Sequence, residues 1–347
     1  MKKNIIISVI LFNLSNLCSG QDIHFSQFYT SPVLFNPGAT GNFFGSQRAV
    51  INYKDQWSSI ANPYKTFALA FDMHLFEHKW TKGLLGVGLT AINDVAGDTK
   101  MGTTQANFSV AYRAKISEKH SLSTGLQGGI AQRKIDSGVF RWGNQDDGVN
   151  GFDPTLPSGE TYTPENFTYG DFGAGMIWNY GSAETNMTSN DAFSANLGAS
   201  VSHINQPAGA FYEGDEEKLF LKSVVHGSIF YGIKNTNIGI KPDFLYQKQG
   251  PLQEFIVGLM ARYKIGEESK YTGFKKGTAV SLGGYYRSND AFVPAVFLEH
   301  AQFAIGFSYD VNVSGLTSAS KGQGGIEFSL RYINPNPFVK YKFTPLL

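Results

Sequence analysis

One stretch, Thr66–Phe76, alternates strictly between large apolar side chains and small or polar ones. Side chains alternate across a β-strand with a period of two, so the stretch has two contrasting faces. It is longer than most strands of globular proteins and about as long as a tilted strand that crosses a bilayer. The apolar face holds Phe67, Leu69, Phe71, Met73 and Leu75, and the other holds Thr66, Ala68, Ala70, Asp72 and His74. Because the pattern recurs along the chain, it predicts a transmembrane antiparallel β-barrel.

Composition agrees with a sheet protein that has aromatic bands. Charged residues make up 16% of the 347 residues and aromatic residues 14%, with 39 glycines. A soluble domain has a charged fraction of about 25%. The formal net charge of +1 gives no sign of a surface for nucleic acid, so no nucleic-acid partner is expected.

Residues 1–20 have the pattern of a secretory signal peptide. Two lysines precede the apolar core Ile5–Phe12, and cleavage is expected between Gly20 and Gln21. The single cysteine lies in this signal, so the mature chain has no disulfide, which fits export to a Gram-negative envelope. The sequence after the signal contains no run of about eighteen apolar residues, so no membrane helix is predicted. A membrane protein without such a helix is expected to be a closed barrel in the bacterial outer membrane.

The predicted barrel covers residues 46–333 and has about fourteen strands, an even number as bacterial barrels prefer. Residues 334–347 form a C-terminal tail, and the last strand ends at Tyr332 or at Phe343. The predicted strands are Gln47–Trp57, Thr66–Phe76, Gly83–Asn93, Thr104–Ala114, Ser121–Arg133, Phe167–Tyr180, Asp191–Asn205, Leu219–Gly232, Asn237–Gln247, Gln253–Lys264, Thr278–Arg287, Ala291–Glu299, Phe303–Val311 and Gly325–Tyr332.

The connections are expected to differ between the two ends of the barrel. With a periplasmic N-terminus, the connections after odd-numbered strands face outward, and these include the longest, about Lys134 to Asn166. Several connections after even-numbered strands are tight, such as Ile116–His120. Long outside and short inside is the usual pattern of bacterial barrels. Gly181–Asn190 and Ile265–Lys276 are longer than that pattern predicts.

Residues 21–45 are aromatic but cannot form a central strand, because Pro32 and Pro37 lack the backbone donor that a strand needs. They are predicted to form an irregular segment in the mouth or lumen of the barrel. The candidate plug or partner-binding residues are His24, Phe25, Ser26, Gln27, Phe28, Tyr29, Asn36 and Pro37. The alternative is that the aromatic residues among them only fill the barrel core and keep it rigid.

No motif points to catalysis or to a cofactor. His226 and Ser228 lie two apart on one strand with Asp243 on the next, but neither a base in reach of a nucleophile nor an oxyanion hole is evident. Asp72 and His74 are a candidate metal pair, for which polar packing in the lumen is the favoured alternative. We therefore expect no enzyme, no cofactor and no metal.

Two further patterns have ordinary structural explanations. The stretch from Asn144 to Asp153 is rich in oxygen ligands that suit Ca²⁺, but it lacks the EF-hand spacing, which favours a solvated loop. The glycines at Gly83, Gly86, Gly88 and Gly125–Gly129 precede no helix, so they are not phosphate loops. They are typical of strand positions that need curvature or a close approach of other atoms.

An ordered set of short motifs runs through the chain: His24–Tyr29, Asn36-Pro37 and Gly41; Asn52-Tyr53, Gln56-Trp57, Tyr64–Thr66 and Asp72; Asp171–Gly175 and Val201–Pro207; Lys241-Pro242, Leu245-Tyr246, Tyr286-Arg287, Gly306–Asp310, Ser314 and Leu316. Over essentially the whole mature sequence, this set resembles the PorP/SprF family of type IX secretion system membrane proteins of Bacteroidota. Ile23 and Gly38 depart from the residues common in that family.

The resemblance implies a barrel like those of the fatty-acid transporters that works with the type IX machinery. It implies that the protein binds, helps to export and anchors a secreted surface protein, such as a gliding adhesin, through the partner's C-terminal secretion domain. The expected partners are that surface protein, other type IX components, and lipid or lipopolysaccharide of the outer membrane.

The alternative is a channel for small or hydrophobic solutes. An ion-selective pore should have charged rings in its lumen, which the inward positions that the pattern identifies do not supply. Those positions are Thr66, Ala68, Ala70, Gly86, Gly88, Ser109, Ser123, Gly125, Ser281 and Gly283.

Overall fold

The computed structural model describes residues 22–58, 62–75, 83–136, 139–146, 151–159, 166–182, 192–209, 218–266, 277–315 and 317–334. The expected signal peptide, its cleavage site and most of the predicted tail lie outside these residues. Among them, no helix is long and apolar enough to cross a membrane. The strands are β1 (Gln47–Gln56), β2 (Tyr64–Leu75), β3 (Gly83–Ala96), β4 (Met101–Lys115), β5 (His120–Lys134), β6 (Phe167–Ser182), β7 (Phe193–Ser202), β8 (Lys222–Gly232), β9 (Ile238–Gln249), β10 (Leu252–Gly266), β11 (Thr278–Arg287), β12 (Ala291–His300), β13 (Phe303–Asn312) and β14 (Gln323–Asn334).

The fourteen strands form one closed antiparallel barrel in which each strand pairs with its neighbours in sequence. The ring is closed by β1 and β14, in register with Tyr53 opposite Phe328. Closure gives the first and last strands backbone partners, which a barrel in lipid requires. The predicted architecture and strand number are confirmed, and β14 ends at Asn334, close to the first of the two predicted ends.

Alternation along the strands separates a lipid-type outer face from a lumen. On β2, Phe67 keeps 44% of its surface exposed, whereas the neighbouring Ala68 is fully buried. Leu89 on β3 and Phe108 on β4 are likewise more than half exposed, as expected for side chains that meet lipid. The outer surface is therefore an apolar band around a packed interior.

Aromatic pairs lie near both edges of this band. Trp57 packs edge-on against Tyr64 at one end of the barrel, with ring centroids 5.1 Å apart. At the other end Trp178 lies beside Tyr180, and Phe303 packs against a tyrosine of β14. Aromatic girdles at two levels mark the interfaces of a membrane barrel.

We call the end where β1 begins and β14 ends the near end, and the opposite end the far end. The longest connection, residues 135–166, lies at the far end, and the short ones at 233–237 and 301–302 lie at the near end. The contrast between the ends is weaker than predicted, because the far end also has tight turns at residues 250–251 and 288–290.

One wall section departs from regular pairing. β6 has sixteen residues and β7 only ten, so β6 pairs with β7 only from Ala174 onward. Beyond that point the residues after β7 cover β6, since Ile204 donates its backbone N–H to Phe172. The Asn205 side chain donates to the carbonyl of Gly170. The far end of the wall between β6 and β8 is thus closed by a connection rather than by a strand.

The lumen carries more charge than the sequence pattern indicates. The small residues predicted to face inward, such as Ala68 and Ser123, are buried. However, Lys54, Arg287 and Glu327 are also among the most deeply buried side chains. Alternation predicts which way such residues point, but it does not reveal what neutralises them. Their partners come in part from the N-terminal segment.

Candidate functional site: the N-terminal segment inside the barrel

Residues 22–46 run lengthwise through the barrel and contact its inner face. At the near end, the backbone N–H of Ser46 donates to Asn334 over 2.8 Å. At the far end, the backbone N–H of Asp22 donates to the side chain of Gln249, the last residue of β9, over 3.0 Å. Between these points the segment forms three short 3₁₀ turns, Phe28–Thr30, Pro32–Leu34 and Pro37–Ala39. Its backbone needs partners from the barrel, because isolated turns satisfy few of their own hydrogen bonds.

At the near end, Asp72 holds the segment by two kinds of bond. Its carboxylate accepts two hydrogen bonds from Arg48, of 2.8 and 2.9 Å, in a fork-like pair. The same carboxylate accepts the backbone N–H of Gly41 over 2.8 Å. Arg48 also donates to the carbonyl of Ala39. Paired and hydrogen-bonded in this way, the buried charges of Asp72 and Arg48 fix the segment to β1 and β2.

His74, the other member of the candidate metal pair, also contacts the segment. Its Nε2 lies in hydrogen-bond contact with the carbonyl of Gly41, and its ring stacks on Phe43 with centroids 4.9 Å apart. Asp72 and His74 therefore contact the same glycine of the segment. Polar packing in the lumen accounts for the contacts of both side chains.

In the middle of the lumen, Asn36 and Pro37 approach the wall closely. The Asn36 side chain accepts the N–H of Gly38 over 2.8 Å and donates to the carbonyl of Met176 over 3.2 Å. Its Nδ2 also lies 2.9 Å from Nε2 of His226. One asparagine thus caps its own turn and joins that turn to β6 and β8. Asn side chains often hydrogen-bond to nearby backbone groups in this way where the chain is neither helix nor strand.

Glycines of the wall make room for this part of the segment. A Cβ added at Gly125 would overlap the carbonyl of Pro37, and one at Gly175 would overlap the side chain of Asn36. At Gly86 it would meet the carbonyl of Thr40. The close-approach explanation predicted for these strand glycines therefore fits Gly86 and Gly125, and the approaching atoms belong to the N-terminal segment.

Replacing Gly125 by Ala should destabilise the folded barrel by about 1–3 kcal/mol, because overpacking against a fixed backbone carbonyl forces a shift of the segment. Gly170→Ala on the adjacent strand is the matched control, since the nearest atom to its added Cβ is 3.9 Å away. Urea titration of both purified variants in detergent measures the difference. Equal stability of the two variants would contradict the tight approach of Pro37.

Toward the far end, Ser26 and Gln27 bind a buried cluster of charges. Their backbone N–H groups donate to the two oxygens of Glu327 over 2.8 and 2.9 Å. The hydroxyl of Ser26 donates to Asp310 over 3.0 Å. Lys54 lies 3.2 Å from Glu327 and completes the cluster on that side. Buried carboxylates persist only when they are paired and hydrogen-bonded, so this cluster depends on the segment.

Arg287 joins the same cluster from β11. Its guanidinium donates to Asp310 and to the hydroxyl of Ser26, each over 2.8 Å, and to Asp290 over 2.6 Å. The side chain is 1% exposed, so these bonds replace its hydration. Ser26 is therefore held by Asp310 and Arg287 together.

Aromatic residues of the segment pack against β11 and β12. Tyr29 stacks on Tyr285 with centroids 5.1 Å apart, and Phe28 meets the same ring edge-on at 5.7 Å. Phe297 adds a further edge contact to Tyr29 at 6.1 Å. Such pairs contribute about 0.5–1.5 kcal/mol each beyond the burial of area. Packing of this kind is what the core-filler alternative predicts for Phe28 and Tyr29.

His24 and Phe25 lie beside a cavity of about 40 Å³. Nδ1 of His24 is 3.6 Å from Glu254, and its carbonyl accepts Lys54 over 3.3 Å. One water molecule needs about 10–15 Å³, so this cavity holds about three. A second cavity beside Tyr29 measures about 20 Å³.

The eight residues predicted as plug or partner-binding residues all lie in the lumen, in two groups. His24–Phe28 lie in the far half, Asn36 and Pro37 lie midway, and the Tyr29 side chain reaches the near half beside Lys241 and Arg262. Sequence reasoning missed the charged side chains that hold them, above all Asp310, Arg287 and Glu327. The sequence did contain a signal for them, because each is a charged residue at an inward position of a strand whose other inward residues are mostly small.

His203, at the far end, joins the start of the segment to the wall. Its Nδ1 lies 2.9 Å from Asp171 and its Nε2 lies 2.6 Å from Asp22. Burial alone would lower the pKa of His203, but hydrogen bonds to these two carboxylates outweigh it and raise the pKa to about 9. The residue follows β7 and has a positive φ of 56°, a conformation that His and Asn tolerate better than most residues.

Because its pKa is raised, protonated His203 stabilises the folded state fully below about pH 6.5, and this contribution is lost as the pH rises through 9. Hydrogen exchange of residues 22–30, corrected for the intrinsic rate, should therefore lose protection between pH 7 and pH 10. In His203→Asn the protection should be lower at pH 7 and should show no such step. If the variant lost protection over the same pH range as the wild type, the pH dependence would belong to a group other than His203.

A family model described as "Type IX secretion system membrane protein PorP/SprF" matches residues 17–332. The match begins within the last four residues of the expected signal peptide and spans the N-terminal segment and nearly all of the barrel. The chain belongs to the PorP/SprF family. A PorP/SprF membrane protein folded as a closed barrel with an apolar outer band lies in the bacterial outer membrane.

Solved barrels of several kinds are similar in outline. The toluene transporter TbuX of Ralstonia pickettii is 9% identical with a TM-score of 0.46, over 88% of this chain and 94% of that one. A FadL homologue of Pseudomonas aeruginosa is 10% identical with a TM-score of 0.44, over 87% and 93%. BamA of Haemophilus ducreyi, lacking POTRA domains 1–3, is 10% identical with a TM-score of 0.43, over 84% and 70%. No curated protein matches the chain significantly.

Proposed function

We propose that this PorP/SprF protein is an outer-membrane anchor that binds, helps to export and retains a secreted surface protein through the partner's C-terminal secretion domain. The observation that carries the proposal is the course of residues 22–46 through the lumen from end to end. A barrel filled by its own chain is better suited to holding a partner than to passing solutes.

In this proposal residues 22–45 act as a plug, and the partner binds at the far end. Three hydrogen bonds support the plug, since they hold the segment at three levels of the lumen. They join Gly41 to Asp72, Asn36 to Met176 and Ser26 to Glu327. The cavities described beside the segment take only a few water molecules. The longest connection, residues 135–166, supports the far end as the surface for an exported partner.

Gentle extraction of the tagged protein from native outer membrane, followed by mass spectrometry, tests the proposal. We expect one large surface protein in stoichiometric amount, and we expect cells to lose that protein from their surface when this gene is deleted. Truncation of the partner's C-terminal domain should abolish the co-purification. A lone barrel that conducts ions or small solutes in planar bilayers would favour the channel alternative instead.

A further inference from the structure

The near half of the lumen has an excess of hydrogen-bond donors beside the 20 Å³ cavity. Lys241, Arg262, Tyr29 and Ser281 contribute to its lining. Among the described residues, Nη1 of Arg262 and the hydroxyl of Tyr29 are buried without any hydrogen-bond partner. A buried donor without an acceptor costs free energy, so such atoms in one place indicate a group that the chain itself does not supply.

Arg331 extends the same cluster. It is 5% exposed, its guanidinium lies over the ring of Phe297 at 5.2 Å, and its Nη1 also lacks a partner in the part of the chain that the structure describes. Arg262 and Arg331 share one carboxylate, that of Glu299, over 2.6 and 3.5 Å. Each guanidinium thus uses one edge on Glu299 and keeps another donor available.

The charges do not balance within this cluster. Lys241 lies 3.6 Å from Asp243, and both arginines depend on Glu299. Among the residues that the structure describes, three cations of this cluster therefore face two carboxylates. Arg262 and Glu299 keep about a sixth of their side-chain surface exposed, at 16% and 17%, so the cluster can be reached from the near end. One more negative group of small size would satisfy both the charge and the unpaired donors.

We propose that Tyr29, Arg262 and Arg331 form a binding site for a single carboxylate group that enters the lumen from the near end. A carboxylate fits better than a phosphate, because the cavity is small and the excess is one positive charge. Planar guanidinium groups bind a carboxylate through paired N–H donors. The site is separate from the bonds of Glu327 and Asp72 that hold the N-terminal segment.

Calorimetric titration of the purified full chain in detergent with sodium acetate tests the site, with sodium chloride as the reference salt. Arg262→Gln should weaken acetate binding by about tenfold or more, since it removes a charged donor. Glu299→Gln should strengthen it, since it frees both guanidinium groups from their shared carboxylate. A variant that merely damaged the fold would weaken binding in both cases, so the opposite signs identify the site.

Two further measurements keep the proposal open to refutation. Tyr29→Phe removes one donor without a change of charge and should weaken acetate binding by a smaller factor than Arg262→Gln. Lys100→Gln, at an exposed ion pair with Asp136 on the far end, should leave it unchanged. Absence of saturable acetate binding to the wild type, or tighter binding of inorganic phosphate than of acetate, would overturn the carboxylate assignment.

Two tripeptides distinguish the source of the carboxylate. One carries a free C-terminus and no acidic side chain, and the other is amidated and carries one Asp. Tighter binding of the first assigns the site to a chain terminus, and tighter binding of the second assigns it to an acidic side chain. Binding of acetate with no binding of either peptide would assign the site to the carboxylate of a small free molecule.

Discussion

Deleting residues 22–43 should turn a closed barrel into an ion-conducting pore. The deleted segment contacts the wall at the near end, midway and at the far end, and the walls themselves present many small residues. An eight-stranded barrel is filled by its own side chains, whereas barrels of sixteen strands leave an aqueous channel. With fourteen strands, an emptied lumen should admit hydrated ions. Planar bilayer recordings should show stable open steps for the deletion variant and none for the wild type.

The deletion is informative only if the barrel still closes. Heat-modifiable migration in detergent gels reports closure, and the variant should keep it, because all fourteen strands and Arg48 remain. A synthetic peptide of residues 22–43 added in trans should reduce the open steps. A closed barrel that stays silent without the segment would show that side chains of the wall alone seal the lumen.

Replacing Glu327 by Gln should destabilise the folded protein by about 3–5 kcal/mol, the usual cost of removing one partner of a buried ion pair. Glu327 is 1% exposed. It accepts hydrogen bonds from two backbone N–H groups of the segment and forms an ion pair with Lys54. Glutamine retains one acceptor oxygen, but it carries no negative charge to balance the buried ammonium group of Lys54. Urea titration followed by tryptophan fluorescence and gel mobility measures the loss.

Two comparisons separate this effect from a general cost of altering a charge. Glu118→Gln, in an exposed near-end connection, should change stability by less than about 0.5 kcal/mol. The double variant Lys54→Met with Glu327→Gln should lose less than the sum of the two single variants, because the pair is coupled. Strict additivity would argue against the ion pair seen in the structure.

The strand framework was predictable because each strand of a membrane barrel has lipid on one side and a packed lumen on the other. That constraint places apolar residues such as Phe67 and Phe108 at every second position, so the period is visible in the sequence. The predicted bounds of β11 agree fully with the structure, and a tight turn at residues 288–290 ends the strand. β7 begins two residues later and ends three residues earlier than predicted, because His203 leaves the strand to bind Asp171 and Asp22.

The site was predictable only in part. The aromatic segment was recognisable in the sequence because its prolines exclude a central strand. Its partners are up to 302 residues away in sequence, as in the bond from Ser329 to Gln27, and no local pattern encodes such a pairing. Glu327 and Lys54 differ from their strand neighbours only by their charge, so the sequence indicates that they need partners without indicating which.

The lengthwise course of residues 22–46 has a consequence for the order of assembly. These residues lead directly into β1, which forms the closing seam with β14 at the other end of the chain. A short unfolded segment can enter a finished ring, but a segment with a folded domain at its tip cannot be threaded into one. A folded reporter fused just before Asp22 should therefore stall biogenesis. The same reporter after residue 347 lies beyond the seam and avoids that obstacle.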